Sequence, residues 1–297
     1  YAGVLSVDPM TQIAIYQQEQ TAMISTMTKD LNGRFTQRMS DAIVEAMKPV
    51  NDSLNRFVTV NTQEQMRFLD TVVTRFVTHM DQALQGQFDN LSQAMSRTAQ
   101  QQEQMLSAME DAGYQQVCRE MLRRHRDAFV TIPAAKSVHH SFVHGLLMHT
   151  AYMMKTALFL AKLYGDLLDR DLLLAGAFLH DFAKIREFSL SPTGLVADYS
   201  VAGQLLGHLV MGAEETAQVC RELNIPEEKS LLLQHMILSH HGTPEFGAAV
   251  VPACAESELL SYIDMMDSRM EIYREALEKT EPGAFSDRIF ALDNKRI

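Results

Sequence analysis

The chain has 297 residues and a net charge of −11. That is enough length for one large domain or two modest ones, and the wrong sign for a protein coated with basic surface for avid nucleic-acid binding. Its three cysteines, Cys118, Cys220 and Cys254, are far apart and form no CxxC pair, which argues against a disulfide framework and a thiolate zinc site. A reducing, cytoplasmic setting is expected, and no stretch approaches the roughly 18 to 20 uninterrupted apolar residues of a membrane helix.

Composition changes near residue 110. Before it the chain is rich in Gln, Thr, Ser and Met and holds one histidine, His79; after it come the other ten. Residues 1–110 are read as a helical, coiled-coil-like arm and residues 111–297 as a compact helical domain. In the arm, Leu31, Phe35, Met39, Ile43, Met47, Val50, Leu54 and Phe57 recur at helical spacing, with a kink expected at Pro49. Met66, Leu69, Val73, Phe76, Met80 and Ala83 then alternate steps of three and four, the a/d seam of a coiled coil. The phase slips after Leu84 and resumes through Phe88, Leu91 and Met95, as after a stutter. A long polar helix with a narrow apolar seam needs a partner, so self-association or docking on another protein is expected. The alternative is a weakly ordered polar linker.

Beyond the arm, helices are predicted from Tyr114 to Phe129, from Ser141 to Tyr164 with Gly165 as its stop, from Leu172 to Lys184, from Ala202 to Leu223, from Pro226 to His241 with Gly242 as its stop, and from Glu256 to Lys279. A loop is predicted around Ser191–Gly194 and a short turn near Phe285–Phe290. Strand alternation and a βαβ rhythm are missing, so the fold class is all-α, a helical bundle preceded by the arm.

The stretch LLLAGAFLHDFAK at 172–184 is apolar on almost every side yet carries His180 and Asp181. A helix hydrophobic all round belongs in a core, where an unpaired imidazole and carboxylate are costly. Either the two bond each other or they hold a metal ion. His149, His208, His235 with His240 and His241, and Asp264 fall on four further predicted helices, and bundles build metal sites from side chains on facing helices. Imidazoles and carboxylates without thiolate suit manganese, iron, zinc or magnesium-like ions. The two oxygens of a carboxylate such as Asp181 are able to bridge two of them.

The order His149, His180–Asp181, Asp264 resembles the signature of the HD phosphohydrolase superfamily, and His208 with His240–His241 resembles its binuclear members. The segment from about 115 to 297 is similar to the catalytic domain of the YhaM-like 3′-to-5′ exoribonuclease family, through PAAKSVHHSF at 133–142, GLLMHT at 145–150, LLLAGAFLHDFAKIREF at 172–188, GHLVMG at 207–212, LLLQHMILSHHGTPEFGA at 231–248 and PGAFSDRIFALDN at 282–294. The resemblance implies that His149, His180, Asp181 and Asp264 hold one divalent ion. Asp181 would bridge to a second held by His208 and His240, with His241 contributing to its coordination or orienting a ligand. Manganese is implied first, with iron, magnesium, zinc or cobalt as alternatives. Lys184 would contact the scissile phosphate, a metal-bound hydroxide would attack it, and Arg288 and Asn294 would line a channel for single-stranded RNA or DNA, or merely pack.

Asp267, one turn beyond Asp264, is a competitor for its role. His235 is read as a core or surface histidine, His139 and His140 as structural or close to substrate, and His125 and His79 as solvated. The family normally carries an oligonucleotide-binding β-barrel ahead of this domain; residues 1–110 show no alternating strands. Hydrolysis of a nucleotide or cyclic dinucleotide is the second enzymatic reading. A scaffold in which the arm does the work and the HD domain is regulatory is the third.

Overall fold

The computed structural model describes residues 62–136, 140–191 and 194–297. The apolar series from Leu31 to Phe57, the kink at Pro49 and His139 lie outside them. The chain divides into two units, one ending at Ala94 and a compact one over Met95–Ile297 that begins ahead of the compositional change near residue 110. Helix α1 covers Thr62–Ser107. Val73 of its seam is 54% exposed, as an a/d position is when no second helix covers it.

The compact unit contains α2 (Ala112–Thr131), α3 (Gly145–Tyr164), α4 (Arg170–Leu179), α5 (Lys184–Glu187), α6 (Val201–Glu222), α7 (Glu227–Ser239) and α8 (Ala255–Glu278). Side chains that accept backbone N–H groups start several of them. Asp111 accepts from Gly113 and Tyr114, Asp169 from Asp171 and Leu172, and Ser200 from Gly203, which relieves the orphan donors of a first turn. Every residue of α4 from Asp171 to Leu179 is buried. It is packed against α2, α3, α7 and α8, as its all-round apolar sequence requires. Beneath its C-terminal end Phe129 stacks on Phe182 with ring centroids 4.9 Å apart, and Phe178 completes the group at 5.4–5.5 Å from both.

One prediction needs correction and two gain detail. The helix expected over 172–184 breaks after Leu179, so His180 caps it, Asp181 to Ala183 form a turn, and Lys184 opens α5. The loop expected around 191–194 is the tip of a small antiparallel hairpin, β1 (Phe188–Leu190) with β2 (Val196–Tyr199). Strands of three and four residues are too short to print an alternation. The turn expected near 285–290 is a single 3-10 turn at Phe290–Leu292.

Lys155 on α3 donates to Gln101 Oε1 at 2.9 Å, and burial pushes its pKa down to about 8. Between about pH 8 and its ordinary value of 10.5 the unfolded chain binds the extra proton, so this lysine makes stability rise with pH across that window. Lys155→Met should therefore raise the Tm at neutral pH, with the gain gone by about pH 10.5. Circular-dichroism melts at the two pH values check this, and an equal shift at both would refute it.

Candidate metal centre

Five elements deliver the polar cluster. His149 comes from α3, His180 and Asp181 from the end of α4, His208 from α6, His240 and His241 from the turn after α7, and Asp264 and Asp267 from α8. Asp181 lies at its middle and its two oxygens face different ways. Oδ2 is 3.6 Å from His149 Nε2 and 3.5 Å from His180 Nε2, whereas Oδ1 is 3.3 Å from His208 Nε2 and 3.6 Å from His240 Nε2. Asp264 Oδ1 closes the first group, 3.4 Å from His149 Nε2. His241 closes the second, with its ring centroid 4.2 Å from that of His240 and 5.3 Å from that of His208.

Four imidazoles therefore present Nε2 to the centre, and in each the other ring nitrogen is held from outside. His180 Nδ1 bonds Ala177 O at 3.0 Å and His240 Nδ1 bonds Ile237 O at 2.7 Å. His149 Nδ1 bonds Asp267 Oδ2 at 2.7 Å, and His208 Nδ1 bonds Glu187 Oε1 at 3.0 Å. An imidazole that donates Nδ1–H outward offers the Nε2 lone pair inward. His149 Nε2 and His180 Nε2 face each other at 3.0 Å.

Burial disfavours charge throughout the cluster, and the neighbours decide each outcome. It opposes a charged His149, but Asp264 and Asp267 push that pKa up to about 10. It also opposes ionised Asp181 and Asp264; the charges of Lys184 and His180 depress the first, and bonds and charge from His149 the second. His240 and His241 are pushed down by the same burial, His241 to about 3. Lys184 Nζ lies 2.6 Å from Asp181 Oδ2, and that carboxylate, against the burial, keeps the ammonium charged.

The donor set fits a metal ion on two independent grounds. Asp181 Oδ1, His208 Nε2, His240 Nε2 and His241 Nδ1 are buried without a hydrogen-bond partner, and such groups are rare unless an ion or water takes them. Two sets, His149 with His180 and Asp264, and His208 with His240 and His241, each bring ligand atoms within 4.8 Å of one another, and His180, Asp181 and His240 form a third between them.

The remaining predicted residues fall elsewhere. Arg288 donates to the Asn294 carbonyl at 3.1 Å, and both are exposed. Their tail is tied to α8 by Arg269 on Asp293 at 3.1 Å. His235 accepts from the Ala253 N–H and faces Ser257 Oγ, away from the cluster. His79 is exposed as predicted, whereas His125 is half-buried and pairs with Glu215 Oε1 at 2.5 Å. Asp267 lies on the Nδ1 side of His149 and Asp264 on its Nε2 side, and His140, His149 and Asp267 also bring ligand atoms within 4.8 Å of one another. Glu187 and the pairing of His140 with Asp267 Oδ2 at 3.0 Å were beyond the sequence reading. Glu187 stands three residues after Lys184, and a spacing rule for helix neighbours marks it as close without saying which histidine it serves.

Residues 146–269 match the HD domain family. Among curated proteins it is 42% identical over 192 residues to the 3′-5′ exoribonuclease YhaM of Bacillus licheniformis, a match covering 65% of this chain and 60% of that protein. It is 41% identical over 192 residues to the protein of the same name from Bacillus subtilis, with the same shares covered. To that of Shouchella clausii it is 42% identical over 181 residues, covering 61% and 56%. The chain thus spans about 60% of the length of these relatives. No solved structure matches it. Among the described residues no helix is long and apolar enough to cross a membrane.

Proposed function

We propose that this protein is a metal-dependent phosphodiesterase that removes nucleotides from the 3′ end of single-stranded RNA, in the cytoplasm. The observation that carries the reading is the split of Asp181, one oxygen toward His149 and His180 and the other toward His208 and His240. The names of the relatives support the polymer and its polarity. His149, His180, Asp181 and Asp264 would hold one divalent ion. Asp181, His208, His240 and His241 would hold a second, with manganese favoured over iron, magnesium, zinc or cobalt. Bound there, the pair supplies Lewis acidity and an activated water.

The chain's own residues do the rest. The outward bonds of the four imidazoles keep each Nε2 aimed before substrate arrives. The charged Lys184, fixed beside Asp181, stabilises negative charge developing on the scissile phosphate. Arg288 and Asn294, on the exposed tail tied to α8, contact the incoming strand. The apolar seam of α1, exposed at Val73, mediates self-association or docking on a partner protein.

The test is hydrolysis of a short RNA carrying a label at its 5′ or its 3′ end, with manganese present and the same sequence in DNA alongside. The 5′-labelled strand is expected to shorten stepwise while the 3′-labelled strand releases its label at once as a mononucleotide. Inertness toward every oligonucleotide, with hydrolysis of mononucleotides or cyclic dinucleotides, would overturn the RNA reading. Inertness toward all of them with ions bound would instead make the arm the working part.

A further inference from the structure

The four imidazoles are not held alike. His180 and His240 each bond a carbonyl three residues back in their own helix, Ala177 O and Ile237 O, so their orientation comes with the helix ends. His149 and His208 are instead held by carboxylates from other elements, and one of these falls on each side of Asp181.

Both carboxylates are elaborately fixed. Glu187 Oε1 accepts twice from one residue, from the backbone N–H and from Nδ1 of His208, each at 3.0 Å. That double bond is possible because Gly207 takes a left-handed turn inside α6 (φ 71°), which releases the His208 N–H from the helix ladder. Asp267 Oδ2 takes His149 Nδ1 from one side and His140 Nε2 from the other. His140 is 1% exposed and has a left-handed backbone (φ 52°), an unfavourable state for a residue with a side chain. Its carbonyl accepts from Ala134 N at 3.0 Å and presses on Gly145, where an added Cβ would lie 1.9 Å from that oxygen.

We propose that Glu187 and Asp267 are positioning residues, each serving one of the two metal positions: Asp267 the one formed by His149, His180 and Asp264, and Glu187 the one formed by His208, His240 and His241. The inference rests on the binuclear reading above. A carboxylate behind an imidazole ligand fixes its tautomer and raises its basicity. Loss of either is therefore felt chiefly at one position, because each carboxylate bonds Nδ1 of a histidine that belongs to that position alone, and Asp181 meets His149 and His208 through different oxygens.

Glu187→Gln and Asp267→Asn test this, since each amide keeps an oxygen able to accept the same bonds while losing the charge, and the melting temperature of the ion-free protein should hardly move. The chelator-stripped full chain is titrated with Mn²⁺, and separately with Co²⁺ followed by its visible spectrum. Wild type is expected to take up two ions. In each variant one binding event should weaken by about 10- to 100-fold while the other stays near the wild-type value, and the Co²⁺ bands lost by one variant should be those kept by the other. Uptake of both ions by both variants as tightly as wild type would overturn the assignment, as would equal loss of both ions in each variant. Wild type binding one ion or none would instead remove the binuclear reading on which it stands, whatever the variants do.

Discussion

Asp181→Asn is expected to strip both metal positions at once and to lower hydrolysis by at least about 10²–10³-fold, the scale of losing a preorganised electrostatic element. The reason is its place between the two groups of imidazoles, with an oxygen for each. The amide fills the same volume but offers one oxygen, and its NH2 donates toward nitrogens that must keep their lone pairs to bind an ion. The change also leaves Lys184, 12% exposed at its side chain, without its partner at 2.6 Å, and a buried charge whose partner is removed typically costs about 3–5 kcal/mol. Metal content per chain by elemental analysis, together with turnover of RNA, checks the first part. Retention of two ions by the variant would show that Asp181 is not the bridge.

Phe182→Ala should destabilise the compact unit by about 3–5 kcal/mol. The ring is 1% exposed and stacks on Phe129, with Phe178 tilted against both. Truncation removes transfer free energy, the aromatic contacts and the packing of a site that three helices cannot close over. Chemical denaturation of the ion-free protein measures it. A loss below about 1 kcal/mol would mean that the surrounding core relaxes into the space.

What could be read beforehand follows from which interactions are local. All the helices of the compact unit except the short α5 declare themselves through apolar periodicity and through stops such as Gly165 and Gly242, which lie within a turn of the residues they govern. Ligand types are legible too, because imidazole and carboxylate in apolar runs need a reason. The misses have a common physical origin. Nothing in the local sequence marks the end of α4 at Leu179, since no glycine or proline stands between His180 and Lys184. Nothing beside Asp267 or Glu187 in sequence announces their partners, because His149 lies 118 residues from the one and His208 lies 21 from the other. His140 gave no sign of its task because the left-handed backbone that aims it depends on the carbonyl pocket at Gly145.

The turn after α4 places Asp181 among the imidazoles and, on the very next residue, Phe182 in the aromatic core. One peptide unit thus joins the ion cradle to the hydrophobic interior. Loosening that interior disperses the ligands, and ions bound to the folded chain alone hold the interior shut by mass action. If the cradle holds ions as proposed, heat, denaturant and chelator act on a single equilibrium, and resistance to unfolding is expected to rise with the concentration of free metal.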